Sequence, residues 1–304
     1  MRAIITGPTG AIGTALIQNL QSQGIYVTAV CRRGSKRISH IPVSDQVNII
    51  ECSLDELHTL PDRLGETYDL FYHFAWDGTF GSARNDTGLQ MKNIQYTLDA
   101  VQAAGALGCR RFIGAGSQAE YGRHEGKIDA FTAVFPENGY GMAKLCAGQM
   151  SRLKCRQLGI EHIWVRIFSV YGPYDGEASM VMSMIRSLLK GQRPSCTKGE
   201  QIWDYLYAKD AARAFSLLGE KGIPGKTYCL GSGRCAPLAE YIAKIRDCIN
   251  PEAEIGWGDI AYGQMQVMHL CADLTQLKQD TGFWPEISFE EGIRETAGWV
   301  QELF

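Results

Sequence analysis

The chain lacks a dominant charge. It carries 30 basic against 33 acidic residues, a formal net charge of -3. No basic excess is present to hold a nucleic-acid backbone, so nucleic acid is not an expected partner. No apolar run is long enough to cross a bilayer, so a membrane partner is not expected either. The first residues pass straight into an apolar strand pattern with no visible secretory leader, and a cytoplasmic location is the expectation. The ten cysteines are scattered without any C-x-x-C pair, and the six histidines keep no ligand spacing with them. This predicts free thiols in a reducing compartment and no metal site. There is no linker rich in Pro, Gly or Ser, and no internal repeat. What remains is ordinary globular composition, 45% hydrophobic and 21% charged over 304 residues, enough for one or two domains with a large core.

The most informative stretch is Thr6-Gly7-Pro8-Thr9-Gly10-Ala11-Ile12-Gly13. It follows the apolar run Ala3-Ile4-Ile5 and precedes Ile12, Leu16 and Leu20 at helical spacing. Strand, glycine turn and helix is the context of a dinucleotide-binding loop. Gly7 permits the tight turn, Gly10 lets backbone approach a pyrophosphate, and Gly13 allows close packing of helix on strand. The free N–H groups and the dipole of the helix N-terminus favour an anion there. Further strands are expected at 25–30, 47–50, 70–74, 111–115 and 162–166. A helix carries Ile94, Leu98 and Val101, and another spans 289–303. This alternation predicts an α/β fold, a doubly wound parallel sheet of the Rossmann type. Residues 1–169 form the expected dinucleotide-binding domain. Residues 170–304 form a smaller, mainly substrate-binding region with segments returning to the sheet.

Tyr140 and Lys144 are four residues apart and share a helix face. An ammonium beside a phenol favours the phenolate, so such a tyrosine can exchange a proton with a carbonyl or alcohol near neutral pH. Ser117 follows the fifth strand, and its hydroxyl can orient the reacting oxygen. The end of the second strand reads Cys31-Arg32-Arg33-Gly34-Ser35, where an acidic residue would select NAD. Two arginines and a serine suit a 2′-phosphate, so NADP(H) is favoured, with NAD(H) as the alternative.

These motifs resemble the extended short-chain dehydrogenase/reductases, in their sugar-nucleotide epimerase, dehydratase and reductase branch, over nearly the whole chain. The glycine loop matches the T-G-x-x-G-x-x-G of that family. Tyr72-His73-Phe74-Ala75 is similar to its H-x-A-A segment, with Trp76 where a small residue is common, and Asn93 matches its bracing asparagine. Arg166-Ile167-Phe168-Ser169-Val170-Tyr171-Gly172-Pro173 resembles R-x-x-N-V-Y-G-P, and Gln201-Ile202-Trp203-Asp204-Tyr205-Leu206-Tyr207 resembles Q-x-R-D-F-x-Y. The resemblance implies Ser117, Tyr140 and Lys144 as the catalytic triad. It implies cofactor contacts from Thr6, Gly7, Thr9, Gly10, Ala11, Ile12 and Gly13, from Ser53 and Leu54, from Phe74, Ala75, Trp76 and Asn93, and from Tyr140, Lys144 and Phe168. Trp76, Gln118, Ala119, Tyr140, Arg193, Trp203 and Tyr205 are the expected substrate contacts. It further implies a homodimer through the helices starting near Met91 and Tyr140, with Met91, Leu98 and Leu145 as contacts.

Two departures bear on the reaction. Dehydratases of the family follow the catalytic threonine with Asp-Glu, whereas Ser117 here is followed by Gln118 and Ala119, with Glu120 one place further on. Trp203 stands where an arginine would grip the substrate diphosphate, leaving Arg193 or Arg234 as substitutes. The expected activity is reduction of a 4-keto nucleoside-diphosphate sugar with Tyr140 as proton donor. The alternative is an epimerase retaining NAD. A non-catalytic NADP-binding sensor or scaffold is the remote third reading, disfavoured because Tyr140 and Lys144 are both present.

Overall fold

The computed structural model describes residues 1–303. Its first half is built from β1 (Arg2–Thr6), α1 (Ala11–Ser22), β2 (Tyr26–Cys31), β3 (Val47–Glu51), α2 (Leu60–Leu64), β4 (Leu70–His73), α3 (Thr87–Ala106), β5 (Arg111–Ser117), α4 (Gly139–Leu158) and β6 (Glu161–Ile167). After these come β7 (Ser169–Tyr171), α5 (Met180–Leu189), β8 (Ile202–Trp203), β9 (Tyr205–Tyr207), α6 (Ala208–Lys221), β10 (Thr227–Leu230), β11 (Ala236–Pro237), α7 (Leu238–Ile249), α8 (Thr275–Thr281) and α9 (Phe289–Gln301).

Seven strands form one parallel sheet in the order β10-β6-β5-β4-β1-β2-β3. The side-chain period of two divides each strand between two apolar layers. Ala3 and Ile5 join α1 and α6 through Leu16, Leu20, Phe215 and Leu218. Ile4, between them, joins α3 through Val101 and Ala104 on the other face. Each such fully buried Leu or Phe contributes about 1.5–3 kcal/mol relative to exposure. Strand order reverses between β1 and β4, so the carboxyl ends of these two strands open a crevice.

Two helices that frame this crevice start at strong caps. The Asp86 carboxylate accepts from Leu89 N at 3.0 Å, opening α3. The Asn138 side chain accepts from Gly141 N at 2.8 Å, opening α4 two residues before Tyr140. The seventh strand, β10, lies outside the expected set. It pairs with β6 at the sheet edge, and with α6 it brings chain from after residue 170 onto the sheet. α5, α7 and α9 pack around Tyr171 and Tyr207 in a third apolar cluster.

The cysteine expectation needs correction. Cys235 and Cys271 are bonded, with Cα atoms 5.7 Å apart, while eight others are free. The buried Asp204 carboxylate draws the two segments together. It accepts from Ser232 N, Ser232 Oγ, Gly233 N and Ala272 N at 2.6, 2.7, 3.0 and 3.0 Å. Among the described residues no helix is long and apolar enough to cross a membrane.

Candidate active site

The glycine loop joins β1 to α1 at the crevice. Gly7 has φ +70°, and a Cβ there would lie 2.8 Å from Ala75 N. A Cβ on Gly13 would lie 2.3 Å from the Gly7 carbonyl oxygen, so any side chain would push α1 off the loop. Thr6 Oγ1 lies 2.9 Å from His73 Nδ1 and accepts from Ala75 N at 3.3 Å, tying the ends of β1 and β4. Burial pushes the His73 imidazole down to about 3, with Lys144 acting in the same direction, so it stays neutral and structural.

A cavity of about 550 Å³ opens beside this loop. Thr6, Gly7, Thr9, Gly10, Arg32, Ser53, Leu54, Phe74, Ala75 and Trp76 line it, joined by Ser35, Arg37 and Asp55. The bare helix N-terminus, the glycines and the cationic edge fit a dinucleotide. These residues would hold it, and a bound nicotinamide supplies the hydride donor or acceptor.

Several expected cofactor contacts fall elsewhere. Arg33 turns to Glu56 at 2.9 Å and is absent from the cavity wall, because Glu56 already caps the turn at Ser53 and offers it a carboxylate. Asn93 is buried and braces the loop after β4, accepting from Asp77 N and donating to Asp77 O, both at 2.9 Å. Phe168 is in the apolar core. Ile12 packs against that core and Ala11 lines another hollow, with Tyr174 and Trp299.

Ser117, the last residue of β5, and Tyr140 and Lys144, in the first turns of α4, are the three residues of the expected triad. Lys144 is 3% exposed, donates to Ala115 O at 2.7 Å and lies 3.8 Å from the Trp76 ring centroid. Burial pushes its ammonium down to about 7, opposed by Glu120. Burial also raises the Tyr140 phenol above its ordinary value, while the neighbouring Ser117 side chain and the charge of Arg84 pull it back. Ser117 is held by its own turn: its hydroxyl accepts from Ala119 N at 3.1 Å, and its N–H donates to Glu120 Oε1 at 2.9 Å. Glu120 is fully buried and also accepts from Trp164 Nε1 at 3.0 Å and Arg166 Nε at 2.7 Å.

Gln118 and Ala119 line a second cavity of about 270 Å³ with Asn138, Val267 and Arg84, whose guanidinium lies over the Tyr140 ring. Arg84 and Gln90 escaped the sequence reading. The Gln90 side chain accepts from Trp76 Nε1 and donates to the carbonyls of Gly78 and Ala83, fixing the loop between them. The expected substrate contacts of the second half are not gathered in one place. Arg193 pairs with Asp259 at 2.5 Å. Trp203 Nε1 donates to Ser169 Oγ at 2.8 Å. Tyr205 lines a separate hollow with Tyr171, Tyr241 and Arg234.

A glycine-loop crevice at a sheet switch point, with a tyrosine–lysine pair at its edge, defines a dinucleotide-binding α/β enzyme. The chain belongs to the NAD-dependent epimerase/dehydratase family, whose model matches residues 3–231. Within the extended short-chain dehydrogenase/reductases it is similar to an uncharacterised UDP-glucose epimerase of Bacillus subtilis, 24% identical over 100% of this chain and 99% of that protein. It is similar also to a dTDP-glucose 4,6-dehydratase of Streptomyces niveus, 25% identical over 99% of this chain and 93% of that one. The fold matches the UDP-glucose 4-epimerase of Thermotoga maritima, solved with UDP-glucose, with a TM-score of 0.89 at 22% identity over 100% and 99% of the two chains.

Proposed function

We propose that the protein reduces a keto group at C4 of a nucleoside-diphosphate hexose, with NADP(H) as cofactor and Tyr140 as the proton donor. The observation that carries this reading is the state of Glu120. It is the acid nearest Ser117 in the sequence, and its oxygens are taken up by Ser117 N, Trp164 Nε1 and Arg166 Nε. Elimination across C5–C6 needs an acid and a base beside the triad, and Gln118 and Ala119 offer neither. Carbonyl reduction needs only the groups present. Tyr140 gives its proton to the forming alkoxide, Ser117 orients that oxygen, and Lys144 holds the cofactor ribose. The names of the relatives favour a second reading, a 4-epimerase that retains its cofactor.

Stoichiometry separates the two readings. With a nucleoside-diphosphate 4-keto-6-deoxyhexose, one NADPH is consumed per product. Conversion without net NADPH loss, or NAD carried through purification, would overturn the reductase. Arg32 lines the cavity while Arg33 is paired with Glu56. A lost charge-assisted hydrogen bond costs about 1.5–3 kcal/mol. Arg32→Ala is therefore expected to weaken NADPH about tenfold or more with little effect on NADH, and Arg33→Ala to change neither much. Fluorescence titration with both cofactors reads this out, and equal losses for the two cofactors would refute a 2′-phosphate contact. The reading includes a homodimer through the outer faces of α3 and α4, where Met91, Met142, Met150 and Leu153 stay exposed. Light scattering at one chain mass would remove it.

A further inference from the structure

Arg84 sits in a short turn, Gly81–Asn85, between β4 and α3. Its guanidinium carbon lies 4.4 Å from the centre of the Tyr140 ring. Two independent attachments hold it there. From below, Gln90, which is 2% exposed, donates to the Gly78 carbonyl ahead of the turn and to the Ala83 carbonyl within it. From the side, the turn is docked on the first residues of α4. Asn85 Oδ1 accepts from Gly139 N at 3.0 Å, and a Cβ on Gly139 would stand 2.9 Å from the Arg84 carbonyl oxygen. The close approach puts the arginine over the residue that follows Gly139. The guanidinium donates to Thr79 O at 3.1 Å and makes no ion pair among the described residues. Its charge is left unneutralised against the aromatic face.

We propose that Arg84 is a positioning residue for Tyr140: a second, permanent cation that fixes the phenol ring and favours its ionised form.

The charged groups around the phenol make the case. On its own helix stands Lys144, whose ammonium is 5.8 Å from the ring centre and is held against Trp76. Burial weakens the hold of Lys144 on its proton, so near neutral pH its charge is partial. From the turn after β5, Glu120 opposes ionisation of the phenol. From the loop after β4, Arg84 favours it, and a guanidinium keeps its charge at every pH at which the protein is folded. The proposal goes beyond the reductase reading, since an epimerase would use the same phenol.

The test needs no substrate. The protein is labelled with 13Cζ-tyrosine, and the Tyr140 resonance is assigned by its loss in Tyr140→Phe. In Arg84→Gln the titration midpoint of that resonance is expected to rise by about one pH unit, the lower range for removal of an adjacent opposite charge. Arg84→Lys is expected to restore part of the shift. A structural role alone would lower the melting temperature of both variants and leave the midpoint in place. Equal midpoints in wild type and Arg84→Gln, or no titration of Tyr140 in either while the fold holds, would overturn the proposal. Failure of the NADPH stoichiometry leaves this readout untouched, so the two ideas fall separately.

Discussion

Tyr140→Phe is expected to lower turnover about a hundredfold or more, the range for loss of a positioned general acid. The substitution removes one oxygen and keeps the ring that packs edge-on to Trp76 at 6.0 Å and under Arg84. The glycine loop, Arg32 and Lys144 are unchanged, so cofactor affinity is expected to stay within about twofold. The loss then appears in kcat, because the hydroxyl acts on charge that develops only as the carbonyl accepts hydride. Steady-state rates and cofactor titration of the same preparation check both halves. Near-wild-type turnover in Tyr140→Phe would remove the triad from the chemistry and leave the crevice as a binding site only.

The parts of this fold that are local in sequence were legible there. β1, the glycine loop and α1 show as an apolar run, a turn and a helical period within twenty residues. Tyr140 and Lys144 show because helical spacing alone puts them on one face. β10 escaped because Thr227–Leu230 has only four residues, and its strand character comes from pairing with β6 some sixty positions earlier. The pairing of Arg33 was not legible, because the basic turn reads the same whichever arginine finds a carboxylate, and Glu56 arrives from a separate segment. Cys235 and Cys271 are 36 positions apart and meet where Asp204 binds residues of both segments, a long-range contact with no local sign in the sequence. Arg84 and Gln90 were missed for the same reason, yet α3 held a signal. Gln90, Asn93 and Thr97 occupy its buried face, where the next turns bury Ala100, Val101 and Ala104. A buried face that turns polar toward the helix N-terminus marks the point where the sheet gives way to the cleft.

Glu120→Ala is expected to damage stability and turnover by separable routes. Glu120 is 0% exposed and Arg166 5%, and their contact is 2.7 Å. Truncating one partner of a buried pair strands the other charge in a low dielectric, which costs about 3–5 kcal/mol. In a chain of 304 residues that lowers the melting temperature by roughly 5–8 °C. The same change also removes the acceptor of Ser117 N and of Trp164 Nε1, so the turn that presents the Ser117 hydroxyl loses its lock. Replacing both partners separates the effects. In Glu120→Ala/Arg166→Met no charge is left buried, and most of the melting temperature is expected to return, as buried pairs exchanged for apolar groups are often neutral. Turnover is expected to stay low in the double variant, because its Ser117 N–H is still without an acceptor. Calorimetry and kinetics on wild type and the three variants, with Arg166→Met completing the cycle, give the test. Recovery of stability together with activity would make Glu120 only a counter-ion. Recovery of stability alone would make it the residue that holds Ser117 in place.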